Sequence, residues 1–359
     1  MFKYIKAMLQ HVKPDASPGV PLANLEQTNF NVMNVLGDQL VELILLRIDC
    51  LLSKTVDNPK QMLAEFLCDP VRLFVKGEPH KVVKILEGRV RLIMSVSLMD
   101  KVIEMVLHNH VNKHEIANWQ RLPYKPGMGF THEMNMHIYE TFQSKGLHNF
   151  AEADISGWDW SVKDWMLDFD TEFRLEVQQP TQAWYKHLCR QQNEIYKNSI
   201  LQLSDGELIC HPPGLMCSGR NNTSSSNSHM RDLTVELVID DEVGYLESSE
   251  RAEMGDDTIE PFVNNAQEKY AELGLECKMY KRIEKNFEFC SHYYTKHGAY
   301  AVNIVKETMN LLAHKVSNED KRLLFTQYEY ELAFNPEFPK VLEILNGMRW
   351  CANNDQHGE

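Results

Sequence analysis

Asp154-Ile155-Ser156-Gly157-Trp158-Asp159, then Ser218-Gly219-Arg220-Asn221-Asn222-Thr223-Ser224-Ser225-Ser226-Asn227, then Gly255-Asp256-Asp257: these stretches, in this order, decide the reading of the chain. Gly255 lies 101 residues beyond Asp154. Asn149 to Ile155 reads as a short strand that ends on the first aspartate. A tight hairpin straddles Gly255-Asp256-Asp257, because glycine permits the positive φ of such a turn. Asp154, Asp256 and Asp257 are therefore expected to meet at one end of a sheet. The tripeptide alone is weak, since roughly one chain of this length in ten to twenty carries it by chance at average residue usage. The joint order and spacing carry the weight.

Carboxylate oxygens of this kind suit Mg²⁺, a hard cation that keeps several waters and needs only two or three aspartates. Two such ions, about 3.5–4 Å apart, serve phosphoryl transfer. Mn²⁺ is the expected substitute. Asp159 is not needed for metal. With Asn227 it could read a ribose 2′-OH, the group that separates RNA from DNA; the alternative is an N-cap for a helix starting near Ser161. Thr223 and Asn227 are four apart and share one helix face. Gly214 and Gly219 bracket a loop, beginning at Ser218-Gly219, that can approach a nucleic-acid backbone. Trp158 and Trp160 read as core residues rather than stacking platforms.

Upstream, Val75 to Ile93 is the main local basic cluster, with Lys76, Lys81, Lys84, Arg89 and Arg91. Gly88 to Ser95 reads as a strand, which would turn Arg89 and Arg91 to one side. Arginine's planar fork suits phosphate oxygens, so the strip would hold a triphosphate. A solvated hairpin is the competing reading. The chain of 359 residues has a formal net charge of -14, which argues against a wholly basic nucleic-acid coat protein but leaves room for a local basic channel. Eight scattered cysteines without a C-x-x-C pair imply reduced thiols and a cytosolic setting. The most apolar stretch, Val35 to Leu52, holds Asp38, Glu42, Arg47 and Asp49, so it reads as a core helix and no stable membrane span is expected. Met1 to Val12 reads as a surface helix packing on the domain. His132 and His137 are five apart and off one helix face, and the set His108, His110 and His114 lacks an evident further ligand.

Helices are expected over 31–67, 97–117, 161–196 with a break at Pro180, 220–238, 262–273 and most of 304–349. Strands are expected at Val71–Val75, at a 200–210 hairpin turning on Ser204-Asp205-Gly206, and at 276–280 and 286–291. Strands interrupted by helical insertions imply an α+β fold.

The set resembles the viral RNA-dependent RNA polymerases. Asp154 to Val162, Met254 to Glu260 and Phe287-Glu288-Phe289-Cys290-Ser291-His292 look like the sobemovirus, polerovirus and barnavirus group, and Ser17-Pro18-Gly19-Val20-Pro21 looks like that class's motif at the mouth of the template channel. The resemblance covers about residues 15 to 295. It implies a right-hand fold: fingers over 1–150 and 172–213, palm over 151–171 and 214–295, and a short thumb over 296–359. It also implies that Asp154, Asp256 and Asp257 bind two Mg²⁺ ions, that Asp159, Ser218, Gly219, Thr223 and Asn227 select the ribonucleotide, and that Lys76, Lys84, Arg89 and Arg91 hold the triphosphate. Lys278, with Lys281 as rival, would donate a proton to pyrophosphate. Residues 287–292 would form the primer-grip hairpin. The implied partners are a single-stranded RNA template, the nascent duplex, NTPs and a genome-linked protein primer, in replication complexes of the host cytoplasm. Two departures stand out: Glu250-Arg251-Ala252-Glu253 is unusually charged for the strand before Gly255, and the region after 295 is short for a thumb. The rivals are another metal-dependent phosphoryl-transfer or hydrolytic enzyme, which would not need Asp159 and Asn227, and an inactive RNA-binding subunit, which would not need intact Asp154 and Asp256. Met254-Gly255 in place of Tyr-x before the Asp-Asp pair disfavours a reverse transcriptase.

Overall fold

A computed structural model of the chain describes residues 1–347 apart from 57, 79, 81, 244–246, 248–249 and 314–317. Lys81 of the basic strip and the last residues of the expected thumb lie outside this set. The strands, in chain order, are β1 (Val71–Val75), β2 (Leu92–Ser95), β3 (Phe150–Ile155), β4 (Ile200–Gln202), β5 (Leu208–Cys210), β6 (Ala252–Met254), β7 (Asp257–Pro261), β8 (Cys277–Arg282), β9 (Phe287–Phe289), β10 (His292–Thr295) and β11 (Gly298–Ala301). They form an α+β fold, as expected, in three sheets ordered β2-β1-β4-β5, β6-β7-β3-β8 and β11-β10-β9.

The sheet β6-β7-β3-β8 is antiparallel throughout. Its central strand β3 is buried along nearly its whole length, which its alanines at 151 and 153 allow. On one side the helix Thr223–Val243 packs Met230, Val235, Val238 and Ile239 against Ile155, Trp158 and Met166. Elsewhere Phe150, Ala252 and Ile259 pack with Phe287, Phe289, Tyr294 and the helix His132–Ser144. Trp158 is buried in this core and Trp160 is exposed, so the expectation of core packing holds for the first only. A separate helical core joins Phe2–Leu9, Asp38–Ser53, Leu98–Asn118 and Ala183–Lys197. Within it Arg47 is fully buried and bonds Asp69 and Asp100, each at 2.8 Å, which explains a charge inside the most apolar stretch. Among the described residues no helix is long and apolar enough to cross a membrane. The helices Ile304–Ala313, Asn318–Leu332 and Phe338–Gly347 close a last small core around Leu311, Tyr328, Leu332 and Leu345.

Some expected elements shift. The single helix over 31–67 is three: Asn29–Leu36, Asp38–Ser53 and Pro59–Ala64, the first break falling at Gly37 with φ +52°. The strand expected from Gly88 starts only at Leu92, because the unexpected helix Val82–Leu86 ends in the left-handed Gly88 and leaves 89–91 in the connection. The helix His132–Ser144 and the hairpin β10–β11 were not anticipated. The charged strand before Gly255 is accounted for by burial in a charge network. Arg251 pairs with Asp232 and Glu236 on the helix Thr223–Val243, and the edge of β6 is covered by residues 123–125, with Lys125 N donating to Glu253 O at 2.7 Å.

Candidate active site

The β3–β7 ladder pairs Ala153 with Thr258, so one further step sets Asp154 across from Asp257. Met254 pairs with Asp257, which leaves Gly255-Asp256 as a two-residue turn. Gly255 has φ +70° and Asp256 is not left-handed, the pattern of a hairpin with glycine at the first central position. Asp256 is exposed at the tip, and Asp257 is half-buried beside it. Burial, then Asp256 and Asp154, push the Asp257 carboxyl up to about 7. The three aspartates expected to meet thus share one end of the sheet and feel one another. Among the described residues no three His, Cys, Asp or Glu side chains close into a ready-made cage. A cation is already present: Lys278 Nζ lies 2.8 Å from Asp154 Oδ2. Its rival Lys281 pairs instead with Glu152, two residues back on β3, at 2.7 Å. The two lysines thus have different partners, Asp154 for Lys278 and Glu152 for Lys281. Glu152 also accepts the Glu288 N–H at 2.6 Å, tying the β9–β10 hairpin to the same strand. That hairpin turns at Cys290-Ser291, both left-handed, and the Cys290 thiol is pushed well up by burial and then by Asp257 and Asp256.

Asp159 and Asn227 also meet. Asn227 Nδ2 donates to Asp159 Oδ1 at 3.1 Å, and Asn227 Oδ1 is buried with no hydrogen-bond partner among the described residues. Burial raises the Asp159 carboxyl, and Asp256 adds to the rise. Ser218 and Thr223 face elsewhere. Ser218 Oγ accepts the Met94 N–H at 3.2 Å, and the Thr223 hydroxyl lies within 3.1–3.2 Å of the carbonyls of Cys217, Ser218 and Arg220. Both hydroxyls lock the loop. Gly219 is required there, because a Cβ would sit 2.0 Å from Met94 O.

The basic strip departs from expectation. Arg89 is turned onto Glu87 and Arg91 bonds Glu78 at 3.2 Å, so the two do not share a strand face. Lys76 meets the same Glu78 at 2.8 Å, and Lys84 is exposed on the helix Val82–Leu86. Of these cations Arg91 reaches the site electrostatically: its charge opposes the rise at Asp159.

Sequence reasoning missed the buried polar groups that hold the 218–229 segment. Glu104, fully buried on the helix Leu98–Asn118, accepts Arg220 Nε and Nη2 at 3.0 and 2.8 Å and the Asn221 N–H at 2.7 Å. His229 is clamped between Asp170 at 2.7 Å and Glu115 at 2.9 Å. Arg174 bonds Asp170 and Ser225. A charged residue inside an otherwise apolar helical stretch, such as Glu104 within Val102 to Leu107, is the one signal in the sequence that could have pointed here.

A β-hairpin of paired aspartates against a third strand aspartate, with a glycine loop locked nearby, gathers hard oxygen ligands at one sheet end. Comparison with known proteins gives the family. Residues 1–305 match the family described as viral RNA-directed RNA-polymerase, and the chain belongs to it. It is 38% identical to the replicase polyprotein P2AB of Southern cowpea mosaic virus, over 96% of this chain and 36% of that protein. It is 30% identical to the RNA-directed RNA polymerase of mushroom bacilliform virus, over 93% of this chain and 82% of that one. Potato leafroll virus protein P1-P2 is 38% identical over 66% of this chain. The chain thus spans about a third of the length of the replicase polyproteins. These relatives bear out the sobemo-like group named from the motifs. The RNA-dependent RNA polymerase of a human picobirnavirus superposes with a TM-score of 0.60 at 13% identity, over 76% of this chain and 55% of that one. The fold is accordingly the right-hand polymerase fold.

Proposed function

We propose that this chain is an RNA-directed RNA polymerase that adds nucleotides from NTPs to an RNA 3′ end and copies a positive-strand viral genome. The observation that carries the reading is the convergence of Asp154, Asp256 and Asp257 at one sheet end, with the Asp159–Asn227 pair beside them. Fingers over 1–150 and 172–213, palm over 151–171 and 214–295, and thumb from 296 onward complete the assignment.

The donor set fits divalent metal. The oxygens are hard ligands, and burial together with the neighbouring carboxylates raises Asp257, a strain that a bound cation would offset. Asp154, Asp256 and Asp257 would hold two Mg²⁺ ions, with Mn²⁺ as substitute, which when bound neutralise the triphosphate and activate the attacking oxygen. Lys278, 2.8 Å from Asp154, would give its proton to the leaving pyrophosphate. Asn227 keeps an acceptor, Oδ1, that a ribose 2′-OH can satisfy. Arg91 would take phosphate oxygens in place of Glu78. The RNA template, the nascent duplex and a genome-linked protein primer are the partners we assign, at replication complexes in the host cytoplasm.

Primer extension on an RNA template with NTPs and Mg²⁺ tests the reading. Wild-type protein is expected to extend the primer. Asp256→Ala is expected to lose synthesis while keeping its fold and RNA affinity, since it removes charge stabilisation of the transition state. Extension by Asp256→Ala at the wild-type rate overturns the assignment.

A further inference from the structure

Gly255 and Asp256 turn the hairpin, and the closing pair Met254–Asp257 uses its own backbone groups for the ladder. The Gly255 N–H therefore has no strand partner. It donates instead to Ser228 Oγ at 3.0 Å. Ser228 is fully buried, and its hydroxyl proton is committed to the Ser224 carbonyl one turn back, at 2.8 Å. A lone pair is thereby fixed toward the glycine. The preceding residue on the same helix is Asn227, which grips Asp159. Two consecutive side chains of one helix thus reach two separate parts of the site, the segment that carries Asp159 and the turn that carries Asp256.

We propose that Ser228 is a positioning residue, which holds the Gly255-Asp256 turn so that the carboxylates of Asp256 and Asp257 are aligned for metal before any ion arrives. The inference rests on the metal-binding reading above. The hydroxyl touches no substrate; it acts through the turn. Alanine at this point favours the helix and removes the hydroxyl, which is both the acceptor for the Gly255 N–H and the donor to the Ser224 carbonyl. The half-buried glycine N–H can then turn to water, so global stability changes little.

The test is Mn²⁺ binding to the whole chain, measured by calorimetry without RNA or NTP, alongside thermal unfolding of the metal-free protein. Ser228→Ala is expected to bind Mn²⁺ about three- to tenfold more weakly, the worth of one hydrogen bond, with an unfolding midpoint near wild type. Ser228→Thr keeps the hydroxyl and is expected to retain most of the affinity. Wild-type affinity in Ser228→Ala overturns the proposal. A second measurement needs no variant: the Gly255 amide of wild-type protein is expected to exchange slowly with deuterium in the absence of metal, and exchange at the open-chain rate overturns the proposal equally. If wild-type protein itself fails to bind Mn²⁺, the metal reading falls as well, an outcome distinct from binding that Ser228→Ala leaves unchanged.

Discussion

Replacing Glu104 by alanine removes the group on which the 218–222 loop is anchored. Its two oxygens accept Arg220 Nε and Nη2 and the backbone N–H groups of Asn221 and Asn222. Burial works against the Arg220 charge, and Glu104 is the chief group that favours it, so the guanidinium is held above its ordinary range. Without Glu104 that cation keeps the ring face of Tyr196, 3.8 Å away, and a weak contact to Met216 Sδ at 3.9 Å. Breaking one side of a buried ion pair costs about 3–5 kcal/mol. Each backbone amide left behind adds up to about 1 kcal/mol where water cannot reach it. The sum, about 3–7 kcal/mol, is a large part of an ordinary domain's stability of about 5–15 kcal/mol. Urea unfolding at constant slope is the assay. Glu104→Met with Arg220→Met removes both charges together and is expected to cost about half as much as Glu104→Ala alone, because no orphan cation remains. A Glu104→Ala variant within about 1 kcal/mol of wild type would refute this account. So would a double variant equal to the sum of its singles, which would mean the two groups act independently.

Three further outcomes follow from the site. On the proposed reading Asn227→Ala removes a sugar contact, so it is expected to lower the preference for NTP over dNTP, as a ratio of kcat/KM, by about tenfold with RNA affinity kept; an unchanged ratio counts against the Asp159–Asn227 pair. Arg91→Ala is expected to raise the KM for NTP by about tenfold, and Arg91→Lys to recover only part of it, because lysine is a point charge without the fork; full recovery by lysine removes the bidentate argument. His229 works against burial, but its bonds to Asp170 and Glu115 raise its affinity for a proton above the ordinary value. The folded chain then binds more protons than the unfolded one above about pH 6.5, so this share of stability is complete below that pH and fades as pH climbs through the raised value. Unfolding free energy measured from pH 6 to pH 9 is expected to fall more steeply in wild type than in His229→Gln, and parallel curves would show that the clamp does not titrate there.

What was legible in the sequence was whatever depends on local chemistry. Asp154 at a strand end, Gly255 in a tight turn and Asn227 one helical turn beyond Thr223 needed only periodicity and turn rules, and all fall as read. Around Arg89 and Arg91 the alternation of charged and apolar residues mimics a strand, but Gly88, left-handed, stops a helix there instead. Ser218 and Thr223 were placed at the right loop but turned inward by Met94 and by the loop's own carbonyls. Long-range partners such as Glu104 with Arg220, or Ser228 with Gly255, lie 116 and 27 residues apart, and no spacing rule reaches across that distance.

The cationic strip finally bears on how an acidic chain can handle polyanions. Lys76 and Arg91 both lean on Glu78, and Arg89 leans on Glu87. The burial of Glu78 is opposed by the cations Lys76, Arg91 and, from the helix Ile304–Ala313, Lys306, which together hold its carboxyl below the ordinary range. Pairs this exposed are worth about 0–1 kcal/mol each, so parting them costs little. On the proposed reading, an NTP that brings several negative charges to Arg91 outcompetes a single carboxylate easily. A lone RNA phosphate gains far less from the same exchange. The acids of the strip therefore lower non-specific attraction for RNA more than they lower attraction for triphosphate. Neutralising Glu78, as Glu78→Gln, is accordingly expected to tighten salt-sensitive RNA binding by more than it lowers the KM for NTP. The opposite order, with KM falling and RNA affinity unmoved, would mean that Glu78 competes with the nucleotide alone.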